Sequence, residues 1–385
     1  MTATALSAFT SERAELAATV RRLMTRQHDE TQVRRWMEVP DEHDRAVWAE
    51  LAGGIGATAL PISEKHGGAG FSYADLLPVF EEAGRALYGG PLLSTALATA
   101  TLQAAGDDDA CLRLLPGIAD GTTTAALALL EQSDGASIGW DPAGIRTRAE
   151  RSGAGWTLTG TKTAVIDGCT ADLLVVPART EEGVRLFAVY TADVTGLMRH
   201  DLRTVDLTRK QARIAFDATP AIPVGVAGAG WPAVRAALDH AVLFLAAECL
   251  GTARRALDEA VAYACTRHQF SRPIGSFQAI KHRLADMWVA AESAAVLLSE
   301  AGDALERTGV PVPLDTEHAF LACAEALALC AQGNVSVHGG IGFTWEHPAH
   351  LSYRRARNAQ SLLGPLAAHR ERLADLAGLP GGTTA

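Results

Sequence analysis

The stretch from Arg267 to Met287 constrains this chain more than any other. Its first part holds two helix breakers, Pro273 and Gly275, so the chain must turn there. From Phe277 onward, apolar residues recur at Ile280, Leu284, Met287, Ala291 and Leu298, the spacing of one helix face. Upstream, Val234, Leu238, Ala241 and Leu245 mark a second stripe in a helix expected over residues 232–263. Two long helices joined by a short corner form an αα-hairpin, and each stripe needs an apolar partner. The corner is basic: Arg267 and Arg272 crowd it, with Gln269 and Gln278 as amide neighbours. Guanidinium groups bind phosphate oxygens bidentately, so the corner suits a pyrophosphate; a solvated basic loop is the alternative.

The rest of the chain fits around that hairpin. A third helix is expected from about Asp315, after Pro311 and Pro313, with Phe320, Cys323, Leu327 and Cys330 facing inward. The first part of the chain reads as helical. Ser11 caps a run from Glu12 to Arg26, a second run covers Asp41 to Leu51, a third Tyr73 to Leu87, and Pro91 opens a fourth. Asp107 to Asp109 reads as a turn. The character changes near Thr122. Ala125–Leu130 is a short apolar run, and residues 156–160, 173–178, 184–190 and 212–216 read as strands. With no helical pattern between them they suggest an antiparallel sheet or small barrel. The fold class is therefore α+β. The expected domains are an N-terminal helical domain over 1–121, a middle antiparallel β domain over 122–226 and a C-terminal four-helix-bundle domain over 227–385.

Composition narrows the function. Hydrophobic residues make up 48% of 385, enough for a sizeable core. A net charge of −10 and the absence of any Lys/Arg run argue against a nucleic-acid partner. No apolar run reaches the roughly 18 residues that span a bilayer, so no membrane span is expected. The N-terminus lacks the pattern of a secretory signal. The six cysteines show no metal-ligand spacing, and Cys323 and Cys330 read as small core residues. These features point to a cytoplasmic protein.

Three motifs carry a resemblance. Arg267-x-x-Phe270-x-x-Pro273-Ile274-x-x-Phe277-Gln278 closely resembles a signature of the acyl-CoA dehydrogenase family. His338-Gly339-Gly340-Ile341-Gly342-Phe343-Thr344-Trp345-Glu346 and Glu64-Lys65-His66-Gly67-Gly68-Ala69-Gly70 match two further family segments, in the family's order. The resemblance covers essentially the whole chain. It implies helix, sheet and bundle in that order, an oligomer (a dimer or tetramer), an acyl-CoA substrate, FAD held between middle sheet and C-terminal bundle, and an electron-transfer acceptor. It also implies a reaction: a glutamate removes the α-proton while the β-hydride goes to the flavin. The family's corner arginine reaches across a subunit interface to a neighbour's FAD pyrophosphate. Arg267, Phe270, Gln278, Gly339 and Gly340 are the matching cofactor-binding positions here, although a family glutamine before the Gly-Gly pair is replaced by Ser336.

The same comparison exposes a gap. In most members a Glu-Gly pair follows the Gly-Gly-x-Gly-Phe motif; counted along without gaps, that glutamate falls on Leu363, beside a retained Gly364. A second group carries the glutamate on the helix before the corner, at the position of Ala241. Both base positions are apolar. Glu248 lies two turns beyond Ala241 on the same helix face, about 11 Å away. It is a weak candidate base, and pairing with a neighbouring cation is its simpler role. The flavin-facing positions of the middle domain depart as well. Gly160-Thr161-Lys162-Thr163-Ala164-Val165-Ile166 places Ala164 and Ile166 where the family has an aromatic residue and a hydroxyl, and the family's Thr-Glu-Pro loop reads Glu131-Gln132-Ser133-Asp134. Two readings follow: an FAD-dependent acyl-CoA dehydrogenase with a displaced base, or a non-catalytic subunit that completes the FAD site of a catalytic partner in a heteromer. Actinobacterial enzymes of steroid side-chain breakdown resemble the second. A flavoenzyme acting on another substrate class would also accommodate the lost base.

Overall fold

A computed structural model describes residues 3–131, 141–153, 155–192 and 194–379, with side chains from residue 11 onward. The helices are α1 (Ala3–Gln27), α2 (Glu30–Met37), α3 (Arg45–Trp48), α4 (Leu77–Arg85), α5 (Leu92–Ala104) and α6 (Asp108–Ala119). The strands β1 (Ala125–Leu127), β2 (Arg148–Ser152), β3 (Gly155–Ile166), β4 (Leu173–Thr180), β5 (Gly183–Tyr190), β6 (Leu197–Asp201) and β7 (Gln211–Val224) follow. Then come α7 (Gly230–Thr266), the two-residue strands β8 (His268–Gln269) and β9 (Arg272–Pro273), α8 (Gln278–Thr308), α9 (Pro313–His338), α10 (Ala349–Ala359) and α11 (Leu366–Leu376). The chain divides into two compact units, one of residues 1–33, 73–88 and 242–385, the other of residues 34–72 and 89–241.

The first unit is helical. Met287, Ala291 and Leu298 on α8 and Phe320, Cys323, Leu327 and Cys330 on α9 are buried, as the periodicity requires. Small residues let the helices approach closely. A Cβ on Gly333 of α9 would stand 2.4 Å from the Met287 sulfur, and one on Gly251 of α7 would stand 1.8 Å from the Glu81 carbonyl oxygen of α4. Above that crossing Phe80 and Phe244 stack at 4.6 Å. Among the described residues the segment Pro313–Phe343 alone is long and apolar enough to cross a bilayer. However, 67% of its apolar window is buried in the protein, as expected of a core helix.

The second unit holds the sheet. Strands β4, β2, β3, β7 and β5 pair in that order and β5 returns to β4, closing a barrel; β1 adds to β4 and β6 to β7. Most pairs are antiparallel, but β1 and β2 each run parallel to β4. Leu158, Val165, Leu174, Val176, Phe187, Val189, Ile214 and Phe216 fill the interior. The expected turn at Asp107–Asp109 is instead a helix start: the Asp107 carboxylate accepts from the Ala110 amide, and the next two acids sit where a helix N-terminus favours negative charge.

Candidate cofactor site and the missing base

The corner between α7 and α8 is a miniature β-hairpin. β8 and β9 pair His268 with Pro273 and Gln269 with Arg272. The two turn residues, Phe270 and Ser271, have φ of 51° and 63°. Two positive φ values in a two-residue loop define a type I′ turn, normally filled by Asn and Gly. Non-glycine residues there carry strain of a kind that concentrates at functional sites. The turn holds Phe270 out in solvent, 88% exposed. Arg267 and Gln278 flank it, both exposed, and the Arg267 side chain makes no ion pair among the described residues. The Arg267 amide donates to the Tyr263 carbonyl and the Arg267 carbonyl accepts from Ile274, so the arginine's backbone is held at both ends. The Arg272 guanidinium lies 4.0 Å over the Phe277 ring.

The glycine loop follows α9 directly. Gly339 (φ 66°) and Gly340 are exposed, and a Cβ on either would meet nothing within 4 Å. Ile341, Phe343 and Trp345 stand out beside them, 51%, 84% and 50% exposed. The loop is tied to the corner from beneath. His338 precedes Gly339, and its ring lies 4.2 Å from that of Tyr263, whose carbonyl holds Arg267.

Glu248 and Glu317, the latter linked through His369 to the Leu363 turn, both have fixed partners. Leu363 and Ala241 are buried. Glu248 is 4% exposed, and its carboxylate accepts from Arg355 Nη1 at 3.1 Å; Arg355 Nη2 also donates to the Tyr88 carbonyl. The Leu363 turn is pinned by His369, whose Nε2–H donates to the Leu363 carbonyl at 3.2 Å. The Nδ1 of the same ring bonds Glu317 at 2.6 Å, and Arg372 takes the other Glu317 oxygen at 2.6 Å. Glu317 is fully buried. Sequence reasoning missed Arg355 and the Glu317–His369–Arg372 cluster, because a buried partner is invisible until the helices are packed.

In the barrel, Lys162 is fully buried. Its Nζ donates to Glu131 at 2.6 Å and to the Pro177 carbonyl at 2.8 Å, and Glu131 also accepts from the Arg146 and Thr147 amides. Burial pushes the Glu131 carboxyl up, but the Lys162 charge and these hydrogen bonds outweigh it and hold it below its ordinary value. Burial lowers Lys162 to about 8 despite Glu131. Two residues on, Ala164 adopts φ 49°, and Ile166 is 7% exposed. Gln132, Ser133 and Asp134 of the loop after Glu131 lie outside the described residues.

The two halves fit a flavin unequally. The corner offers the Arg267 guanidinium and the glycine loop an open backbone approach, both suited to a phosphate-bearing cofactor. Ala164 and Ile166, the positions that the resemblance assigns to the flavin ring, carry neither a hydroxyl nor an aromatic ring.

Fold and motifs together define a flavin-dependent dehydrogenase class, and comparison with known proteins makes it specific. Residues 10–122 match the acyl-CoA dehydrogenase N-terminal domain and residues 228–377 the C-terminal domain. The chain is 35% identical over 354 residues to acyl-CoA dehydrogenase IpdE2 of Mycobacterium tuberculosis, covering 91% of this chain and 93% of that protein. Among solved structures, a variant of the Tcur3481–Tcur3483 steroid ACAD matches with a TM-score of 0.83 at 30% identity, over 96% of this chain and 98% of that one. The ChsE4–ChsE5 complex from M. tuberculosis matches with a TM-score of 0.82 at 26% identity, over the same shares. The chain belongs to the acyl-CoA dehydrogenase family, whose cofactor is FAD.

Proposed function

We propose that this chain works in the FAD-dependent α,β-desaturation of an acyl-CoA as a subunit that completes a neighbour's cofactor site and leaves α-proton removal to a base-bearing partner chain. One observation carries the reading: both base positions are apolar, and the nearby acids Glu248 and Glu317 are committed to Arg355, His369 and Arg372. A carboxylate locked on a guanidinium in the core cannot reach a substrate proton. Loss of a general base typically costs about 10²–10⁴ in rate, so a chain with no substitute is a poor catalyst by itself.

When bound, FAD takes up the hydride lost from the β-carbon. Arg267 and Arg272 would neutralise the pyrophosphate, Gln278 would supply an amide, Gly339 and Gly340 would allow close backbone approach, and the exposed Phe270 would be covered by the neighbouring subunit. Two of the structural relatives are named as two-component assemblies, one a steroid enzyme. This supports a heteromer and a steroid-derived acyl-CoA. The electrons pass on to a transfer protein, and the protein acts in the cytoplasm.

Replacing Arg267 by Ala tests the cofactor role. The FAD-loaded assembly is expected to lose flavin during gel filtration while keeping its oligomeric mass. Unchanged flavin content would remove the corner from the cofactor site.

A further inference from the structure

We propose that His338 is a positioning residue that fixes the spacing between the arginine corner and the glycine loop. The inference rests on the reading that these two elements hold one FAD together. They come from different helices and need a device that sets their separation.

The structure places three rings in tilted contact beneath both. Tyr263 lies one turn before Arg267 on α7, and its carbonyl accepts the Arg267 amide. Its ring lies 4.2 Å from the His338 ring, and His338 is the last residue of α9, immediately before Gly339. On its other side His338 lies 4.3 Å from the His347 ring. His347 Nδ1 accepts from the Ala349 amide at the start of α10, fixing the far end of the loop.

A polar chain sets the angle of the central ring. His338 Nδ1–H donates to the Asn334 carbonyl at 2.9 Å, and Asn334 Nδ2 donates to Glu259, which pairs with Arg255. His338 is 8% exposed, although the residues after it are open to solvent. A buried ring wedged between the two cofactor elements, with its tilt set by a hydrogen bond, transmits the position of α7 to the loop. Displacing a binding group by even a fraction of an ångström weakens a phosphate contact, so the ring acts on FAD without touching it.

The test uses the FAD-loaded assembly and measures the rate of flavin release, with Arg267→Ala as reference. His338→Leu keeps an apolar filling but removes the ring. It is expected to speed FAD release roughly three- to tenfold, the scale of one or two ring contacts. His338→Phe keeps the ring but loses the Asn334 bond that sets its tilt, so it is expected to release FAD faster than the native chain and more slowly than His338→Leu. Tyr263→Leu, which breaks the same contact from α7, is expected to match His338→Leu and to add nothing when combined with it. Equal release from the Leu and Phe variants, or native release from both Leu variants while Arg267→Ala loses flavin, would overturn the inference and leave the cofactor reading standing. If Arg267→Ala also retains FAD, the cofactor reading itself fails and takes this inference with it.

Discussion

At the residue scale, buried charges in this chain are committed to fixed partners. Lys162 and Glu131 are the clearest case in the barrel, where one pair ties the ends of β1 and β2 to β3 and β4. Removing one member of such a pair strands the other, at a cost of about 3–5 kcal/mol. Lys162→Met is therefore expected to lower the denaturant midpoint sharply near neutral pH. The pH dependence should also weaken. In the native chain the Glu131 carboxyl is held low, so the unfolded chain takes up the proton first and stability is lost as pH falls through the lowered value. Without Lys162 only the Arg146 and Thr147 amides oppose burial, so that carboxyl rises and the loss of stability on acidification becomes smaller. Denaturant melts of both proteins at several acidic pH values would separate the two slopes. Parallel curves would mean that the pair does not control this titration.

Elements made of strong periodic pattern were legible in the sequence; those made by context were not. The stripes Val234–Leu245, Met287–Leu298 and Phe320–Cys330 face inward because helix period and burial agree. Strands β2 and β6 went unrecognised because they are largely exposed and lack an apolar alternation: only Ala149 is buried in β2, and no residue of β6 is. The α7–α8 corner reads as a simple turn because positive φ at Phe270 and Ser271 is written in neither residue type. The cofactor motifs were readable as a resemblance, but the partners that immobilise Glu248 and Glu317 come from helices distant in sequence.

Two predictions belong at this scale. Gly251→Ala drives a methyl group into the Glu81 carbonyl and should cost about 1–3 kcal/mol, visible as a lower melting temperature. A neutral result would show that α4 and α7 can separate freely. Ser271→Gly relieves a left-handed strain and should stabilise the hairpin by up to about 1 kcal/mol without loss of FAD. A lower melting temperature would contradict the type I′ assignment.

At the scale of the whole molecule, the fold is that of the acyl-CoA dehydrogenase family while the residues at its expected base positions are apolar. The helical unit retains a corner, a glycine loop and the three rings beneath them, with large apolar side chains at Phe270, Ile341, Phe343 and Trp345 left in solvent. Apolar surface of that kind is what a subunit interface covers. Leu363 and Ala241, where the resemblance expects a base, are buried, and Ala164 and Ile166 stand where it expects an aromatic residue and a hydroxyl. These features support the proposed role of a subunit that contributes to a neighbour's site.

The most direct test is the visible spectrum of this chain purified alone, recorded before and after anaerobic addition of a panel of acyl-CoAs that includes steroid-derived thioesters. The account predicts a colourless protein, or a yellow one whose flavin band does not bleach, with bleaching gained only when a glutamate-bearing partner is added. A flavin band that bleaches with the chain alone would contradict it and show that a base is present within this subunit, with Glu248→Gln the first variant to make.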